Sequence, residues 1–455
     1  MSLYRHHKIF LVFITAIASI TGLLIGLDTG IIGGSQYFIY HDFQVSSTLL
    51  EALTVAAVPI GALLGAILSA KMAIYYGRKK SLLLTGILFI LGASFITFAL
   101  NMDMLIVGRL LMGVSAGLSS MIAPMYLSEL APTKFRGNLV FMFQLAVTLG
   151  ILLAYAINDL FAHSGNWRVM FALCLLPAFI LFVGTFFLPR SPRWLMQKGH
   201  EKEAKAIINM LGHKEAEREL REIKISIQHQ RASFWIIFQK RYFPLVLLVV
   251  GLFFFQQLSG INTIFYYVDT VFTKAYPHDI QGEIIASLIA GGVNVLATIL
   301  AAWVIDFVGR RCLLLFGMGG IVFCLLILSL SFHNAFAAES GLVSLIAMFA
   351  FILFFAISLG GIPYLIMAEI FPINLKHIGM AIASFSNWSL NAVVAFSYLY
   401  FVHGMGLSKT YLLYAVVTGI GFFFMWKYLP ETKNISLEEI EAHLIAGKPL
   451  RKIGQ

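Results

Sequence analysis

Charged side chains are scarce in this chain, since only 12% of its 455 residues are Asp, Glu, Lys or Arg. Soluble domains carry about 25% charged residues, because most of their surface faces water. At the same time, 59% of the residues are hydrophobic. The chain therefore lacks the polar surface of a soluble protein, and its composition predicts that much of it faces a lipid bilayer.

Cysteine is nearly absent as well. Cys174, Cys312 and Cys324 lie in apolar runs without short spacing between them, which excludes a disulfide framework or zinc site and indicates small buried side chains. The sequence also lacks a phosphate-binding loop, a nucleophile–base arrangement and a His or Cys pair at metal-ligand spacing. We therefore expect neither an enzyme nor a metal site.

Long apolar runs are what the sequence has instead. A membrane-crossing helix needs about 20 mostly apolar residues. Runs of that length predict twelve spanning helices, at residues 9–34, 49–72, 81–100, 104–128, 139–160, 168–188, 243–270, 283–306, 312–332, 341–367, 378–401 and 409–428. The predicted fold is an all-α membrane protein, divided into a six-helix bundle (1–188), a cytoplasmic linker with short helices (189–242), a second six-helix bundle (243–430) and a cytoplasmic tail (431–455).

Lys and Arg are distributed unevenly between the connections. The connections on one side contain Lys274 and, at an edge, Lys409, whereas the segment 189–242 on the other side alone contains twelve basic residues. The positive-inside rule then places both termini in the cytoplasm. The net charge of +10 thus reflects orientation in the membrane and not a nucleic-acid partner. The expected location for this topology is a plasma membrane, or a bacterial inner membrane for a bacterial protein.

Short motifs recur between the two halves of the chain. Gly77-Arg78-Lys79 recurs as Gly309-Arg310-Arg311, Glu129-Leu-Ala-Pro followed by Arg136 recurs as Glu369-Ile-Phe-Pro followed by Lys376, and the segment from Pro189 to Arg193 is weakly matched by Pro430-Glu-Thr-Lys433. Three repeated motifs in the same order predict a duplication. Two parallel six-helix repeats are typical of a rocking transporter with its substrate site between the halves.

Together with the Gln-Gln-Leu-Ser-Gly-Ile-Asn segment from Gln256, these motifs resemble the sugar porter family of the major facilitator superfamily over nearly the whole chain. The resemblance implies proton-coupled symport of a hexose, pentose or inositol by alternating access, with the proton as coupling ion and no other cofactor. It also implies a monomer in the lipid bilayer.

Two charged residues lie inside apolar runs, Asp28 in the first and Arg109 in the fourth. A lone charge in hydrocarbon is costly, so each is expected to have a partner. The resemblance implies that the two face each other beside the central cavity. Protonation of Asp28 would then weaken its hold on Arg109, which makes a proton switch. A static ion pair that pins two helices is the alternative.

Amide side chains on otherwise apolar helices are the candidate sugar ligands, because an amide both donates and accepts hydrogen bonds, as a hydroxyl does. An aromatic ring adds a stacking face. These positions are similar to those that contact the sugar in sugar porters. The alternative for each is an interhelical hydrogen bond with no role in sugar binding. The set comprises Gln144, Gln256, Gln257, Asn262, Asn294, Asn387 and Trp388.

Two further sets of residues are expected. The resemblance implies an outer gate over the cavity at Tyr266 and Tyr267, which helix-breaking signals support, and charges at the cytoplasmic helix ends suggest a latch. The expected gating residues are Tyr266, Tyr267, Tyr364, Gly360, Gly361 and Pro363. The expected salt-bridge latch, which would hold the halves together in the outward-open state, consists of Arg78, Glu129, Arg136, Arg193, Asp306, Arg310, Glu369, Lys376 and Glu431. Ordinary kinks and topology-setting charges are the alternatives.

Several positions depart from the family pattern. Ile25 and Tyr364 stand where an aromatic residue and a Trp are usual, so both changes put the identity of the sugar in doubt. Arg190 reverses a usual negative charge, and Lys376 replaces an Arg, which should weaken that latch contact because Lys cannot form a bidentate fork. A facilitative uniporter, a sugar sensor and a drug exporter are the other functions considered. A short tail disfavours the sensor, and a cavity rich in amides disfavours the exporter.

Overall fold

A computed structural model of the chain describes residues 2–130, 136–211, 220–221, 224, 234–265, 280–333, 341–372, 375–433, 435 and 437–453. Within these residues the regular structure is entirely helical, without a strand. The all-α prediction is therefore confirmed for the part of the chain that is described.

The first half of the chain contains six spans, of which the first five are single helices. Spans 1 to 5 are Ser2–Asp42, Thr48–Tyr75, Gly77–Thr97, Met102–Leu130 and Arg136–Ala162. Span 6 consists of two short helices, Trp167–Ala172 and Leu175–Phe186. We call this unit the N-half.

The second half contains six more spans, and two of them are broken. Span 7 is the apolar stretch Phe243–Phe265, whose regular helix Phe243–Gln257 ends before Gly260. Spans 8 and 9 are Ile280–Val308 and Arg310–Ser331. Span 10 consists of the helices Gly341–Ile357 and Ile362–Glu369. Spans 11 and 12 both lie within Lys376–Tyr428. We call this unit the C-half.

The number of spans depends on how that last stretch is divided. The described residues contain eleven apolar stretches long enough to cross a membrane, and the last, Ile378–Tyr428, has 51 residues. At 1.5 Å per residue it would be about 77 Å long, which is more than twice the thickness of the hydrocarbon core. The backbone leaves the helical conformation at Gly406, so two spans meet there and the prediction of twelve spans is confirmed.

Glycines let neighbouring spans approach closely where the membrane supplies no hydrophobic driving force. Gly61 and Gly65 of span 2 face span 4, and Gly113 and Gly117 of span 4 face span 2. A Cβ atom at any of these four positions would collide with the backbone of the other helix. The Gly-x3-Gly spacing on both helices therefore sets the close packing of this pair.

We call the end of the bundle that carries the start of span 1 and the end of span 12 the basic end. Three short helices beside it, Pro192–Gln197, Glu201–Met210 and Leu437–Ile445, confirm the predicted short helices. Most of the linker between residues 212 and 233 lies outside the described residues. Cys174 and Cys324 are buried as expected, but Cys312 is exposed because it lies on the outward face of span 9.

Candidate transport site

A central cavity of about 140 Å³ lies between the two halves. This is room for about ten water-sized groups, which is the size range of a monosaccharide. Its walls contain all seven side chains that the sequence singled out as sugar ligands, namely Gln144, Gln256, Gln257, Asn262, Asn294, Asn387 and Trp388. The structure thus brings these seven side chains together in one cavity, and their role as sugar ligands stays a prediction.

One wall of the cavity is a chain of hydrogen bonds that crosses three spans of the C-half. The Asn262 amide donates to the Gln257 side-chain oxygen (2.5 Å), and the Gln257 amide donates to the side-chain oxygen of Asn387. The Asn387 amide then donates to the Tyr364 hydroxyl (3.1 Å). Spans 7, 11 and 10 are thus joined by polar groups that can both donate to and accept from a bound hydroxyl.

Two other amide side chains of the cavity wall have a side-chain oxygen without a hydrogen-bond partner among the described residues. The Gln256 amide donates to the Leu359 carbonyl (2.6 Å), but its buried side-chain oxygen has no hydrogen-bond partner among the described residues. The same holds for the side-chain oxygen of Asn391, which also lines the cavity. Buried acceptors are costly when unpaired, so both atoms would gain from a donor hydroxyl.

A buried ion pair borders the cavity on the side of the N-half. The Oδ1 atom of Asp28 lies 3.1 Å from Nη1 of Arg109, and both side chains are almost completely buried. The Nε atom of Arg109 donates to the backbone carbonyl of Thr54 in span 2 (2.6 Å). Asp28 lines the cavity itself. Spans 1, 2 and 4 are therefore tied together at one guanidinium, as the two charges in the sequence predicted for spans 1 and 4.

Both broken spans of the C-half have their breaks beside this cavity. Span 7 breaks at Gly260, where φ is +83°, and a Cβ there would meet the ring of Tyr414 at 2.5 Å, so only glycine fits. Span 10 breaks between Ile357 and Ile362, at the predicted Gly360-Gly361, with Pro363 in the first turn of the following helix. The predicted outer-gate residues Tyr266 and Tyr267 lie outside the described residues.

Comparison with known proteins places this site in a family. Residues 14–444 match the family model described as "Sugar (and other) transporter". The chain is 36% identical to the galactose-proton symporter of Escherichia coli over 99% of its own length and 98% of that protein. It is 35% identical to the arabinose-proton symporter of Escherichia coli, with coverages of 97% and 95%.

The chain belongs to the sugar transporter family. A solved structure of a proton:xylose symporter of the major facilitator superfamily, bound to 6-bromo-6-deoxy-D-glucose, has a TM-score of 0.85 at 29% identity, covering 96% of this chain and 99% of that one. The predictions of a sugar porter with the major facilitator fold, and of a transporter that is not an enzyme, are therefore confirmed.

The basic end of the transporter repeats one charged arrangement in each half. In the N-half, Arg78 pairs with Glu129 (2.6 Å), whose other oxygen accepts from the Ser191 hydroxyl (2.5 Å). In the C-half, Arg310 pairs with Glu369 (3.1 Å), whose other oxygen accepts from the Thr432 hydroxyl (2.6 Å). The matching partners support the duplication that the repeated motifs indicated.

Each of these ion pairs joins helices of the same half. Glu431 likewise accepts from the backbone N–H groups of Arg310 and Arg311 (both 3.0 Å) within the C-half. Arg193 is half-buried in the helix Pro192–Gln197. The side chains of Arg136, Asp306 and Lys376 lie outside the described part of the chain. A latch between the halves therefore stays a prediction. Within each half the structure shows an Arg–Glu ion pair whose Glu also accepts a hydrogen bond from a hydroxyl, and we call this arrangement the clasp of that half.

Several cavity residues escaped the sequence analysis. Phe141 and Ser120 of the N-half and Asn391 and Thr298 of the C-half line the cavity. A phenylalanine in an apolar run carries no signal of its own, and a serine on a membrane helix usually bonds to its own backbone. The spacing of Asn391 one helical turn after Asn387 could have revealed that residue.

Proposed function

We propose that this transporter carries a monosaccharide into the cell together with a proton, by alternating access of the central cavity. The observation that carries the proposal is the buried Asp28–Arg109 pair on the wall of a cavity lined with amides. An acid that reaches the substrate cavity can take up a proton from the same side as the sugar. The relatives that are named as galactose-proton and arabinose-proton symporters support the pairing of these two cargoes.

Sugar recognition would use mainly the C-half, which supplies six of the seven candidate sugar ligands. The chain from Asn262 through Gln257 and Asn387 to Tyr364 offers donors and acceptors in alternation. Trp388 adds a ring face on which the apolar face of a pyranose can stack. Such a wall discriminates against apolar compounds, because every buried amide left without a partner costs free energy. A hexose or pentose is therefore the proposed class of substrate.

Proton coupling would use the N-half. While Asp28 is ionised, it holds span 1 to Arg109 on span 4. A proton on Asp28 removes the charge attraction, yet Arg109 keeps its hydrogen bond to the Thr54 carbonyl and so stays in place. Span 1 is then released from spans 2 and 4 beside the sugar. The movement of the halves would thus require both the proton and the sugar.

The same proposal includes orientation and partners. The basic end would face the cytoplasm of the cell, with both termini there, because Lys and Arg are concentrated at that end. The protein would act as a monomer in the plasma membrane, with the proton as coupling ion and without another cofactor. A uniporter is the second candidate, since a fully buried ion pair is also able to pin spans 1 and 4 permanently.

Uptake into proteoliposomes tests the proposal. We would measure labelled hexoses, pentoses and inositol with and without an inward proton gradient, for the parent protein and for Asp28→Asn. The parent is expected to accumulate one sugar above equilibrium only with the gradient. Asp28→Asn is expected to exchange that sugar without accumulating it, because an amide cannot cycle a proton.

The matched control is Asp103→Asn, which neutralises an exposed carboxylate at the other end of the bundle and should accumulate sugar like the parent. A parent that only equilibrates sugar, whatever the gradient, would make the protein a uniporter. If none of the tested sugars is transported, the proposed substrate class is wrong.

A further inference from the structure

A phenylalanine of the N-half lies against two spans of the C-half. Phe141 lines the central cavity and also a second, smaller pocket formed by spans 8 and 10. We call this pocket the socket. Its other lining residues, all apolar and all in the C-half, are Ala301, Ile305, Ala356, Ile357, Gly361, Ile362 and Leu365.

The socket lies between the cavity and the basic end. Phe141 follows the start of span 5 at Arg136 by little more than one helical turn, which places it about 8 Å from that end. Ala301 and Ile305 lie in the last two turns of span 8, which ends at the same side. An apolar ring at this depth lies between the cavity and the basic end.

A second contact crosses between the halves on another side of the cavity. The indole N–H of Trp388 in span 11 donates to the Ser120 hydroxyl in span 4 (3.0 Å). That hydroxyl donates in turn to the Gly117 carbonyl of its own helix (3.0 Å). Ser120 lies eleven residues after Arg109, which is about 16 Å closer to the basic end. This contact too lies on the basic-end side of the buried ion pair.

We propose that Phe141 in its socket and Ser120 under Trp388 form an inner gate, which closes the cavity at the basic end and has to open before cargo leaves there. Nothing in either contact is charged, so the gate depends on apolar burial and on one neutral hydrogen bond. It therefore opens at a lower cost than a buried ion pair does. The inference uses the alternating access of the proposed function but does not depend on its cargo.

The break in span 10 supplies the movement. Gly361 forms part of the socket wall, and a Cβ at Gly361 would lie 3.8 Å from the Phe141 ring, which is ordinary contact distance. The ring therefore rests against the point at which span 10 changes direction. A swing of the helix Ile362–Glu369 about this break would withdraw one wall of the socket from Phe141 without moving the rest of the C-half.

The gate also determines how Trp388 meets a sugar. Indole has one hydrogen-bond donor, its N–H, and Ser120 occupies that donor while the gate is closed. The substrate then meets only the face of the ring. Opening of the gate frees the N–H. While the gate is closed, Trp388 can therefore recognise a sugar only by stacking. Ser120 is accordingly a positioning residue for Trp388.

Thiol labelling from the basic end tests the gate. The reporter is Ala356→Cys, which lines both the cavity and the socket, in a background with Cys312→Ser because Cys312 is exposed. A membrane-impermeant maleimide is added to the basic-end side of vesicles. We expect slow labelling with Phe141 present and about tenfold faster labelling in Phe141→Ala, which corresponds to ~1.4 kcal/mol.

A graded series keeps the test independent of one variant. The labelling rate should rise in the order Phe141→Leu, Phe141→Val, Phe141→Ala, as side-chain volume is lost. If the Ala variant does not fold, the Leu and Val variants still test the gate. Met142→Ala is the matched control, because Met142 is the next residue but is exposed on the outer face. A flat series, or an equal rise in Met142→Ala, would overturn the gate.

The serine contact is tested in the same assay. Ser120→Ala should raise the labelling rate about threefold, whereas Ser120→Thr keeps the acceptor and should label like the parent. Ser128→Ala is the control, since the Ser128 hydroxyl bonds only within span 4. An unchanged rate in Ser120→Ala would remove this contact from the gate. Labelling requires neither sugar nor a proton gradient, so the test of the gate is independent of transport. If the labelling rates do not differ between variants while the protein still accumulates sugar, the gate is rejected and the proposed function is retained.

Discussion

The two halves of the molecule share the clasp at the basic end but differ in their interiors. The N-half holds the buried Asp28–Arg109 pair on spans 1 and 4, which are single continuous helices. The corresponding spans of the C-half, 7 and 10, are broken at Gly260 and at Gly360-Gly361, and they present hydroxyl and amide groups instead of charges.

The difference follows from what each interior has to do. An ion pair in low dielectric stabilises a protein only when its geometry is well fixed, and continuous helices supply that rigidity. A sugar binds through many neutral contacts that have to close around it, and broken helices supply half-helices able to move. The duplication thus preserved the ends of the bundle, and under the proposed function the interiors of the two halves would serve coupling and recognition separately.

The largest loss of stability should come from removing one partner of the buried ion pair in the N-half. Arg109→Gln leaves the Asp28 carboxylate buried without its partner, which is expected to cost about 3–5 kcal/mol of stability. The double variant Asp28→Asn with Arg109→Gln removes both charges and should recover most of that loss. Thermal unfolding in detergent, followed by tryptophan fluorescence, measures both. Unfolding of Arg109→Gln at the parent temperature would show that the pair does not hold the N-half together.

The clasps at the basic end allow a matched comparison. The Arg78–Glu129 side chains are 7% and 6% exposed, whereas Arg310–Glu369 are 14% and 29% exposed. Water screens the second pair more, so Glu129→Gln should cost about 2 kcal/mol and Glu369→Gln about 1 kcal/mol or less. The same thermal unfolding assay compares them. A larger loss in Glu369→Gln would reverse the ranking of the two halves.

The last comparison concerns sugar recognition by the C-half. Asn387→Ala interrupts the hydrogen-bond chain between Gln257 and Tyr364, and the apparent sugar affinity should fall about tenfold, or ~1.4 kcal/mol. Accumulation under a saturating sugar concentration should stay at the parent level. Asn158→Ala is the control, because this amide bonds to the Gly30 carbonyl of the N-half. Lost accumulation in Asn387→Ala would show that recognition and coupling are not divided between the halves.

Local patterns in the sequence were sufficient for the spans and for most of the cavity amides, with Asn391 as the exception. A charge or an amide within an apolar run stands out whatever surrounds it, which is why Asp28, Arg109 and Asn387 could be predicted. Phe141 and Ser120 could not, because their role depends on how the halves face each other. The Thr54 carbonyl was equally hidden, since a backbone acceptor leaves no trace in the sequence.

The opposite end of the bundle provides a further example. Arg168 lies there against the general distribution of basic residues, and it pairs with Asp42 at 3.0 Å. Its guanidinium lies 4.1 Å from the centre of the Trp167 ring, and the Trp167 indole also donates to Asp42 (2.8 Å). Asp42 and Arg168 are far apart in sequence, so their pairing required the fold.

The hydrogen bond from Arg109 to the Thr54 carbonyl has an electrical consequence. Under the proposed function it would hold the guanidinium charge at the centre of the N-half while Asp28 gains and loses its proton. With Asp28 ionised, the empty carrier reorients with no net charge at its centre, whereas the carrier loaded with a proton reorients with one positive charge there. Voltage contributes about 2.3 kcal/mol per elementary charge per 100 mV, so an interior-negative membrane should accelerate the loaded step alone. The transport current should then reach a plateau at strongly negative voltage, where the electrically silent return of the empty carrier sets the rate.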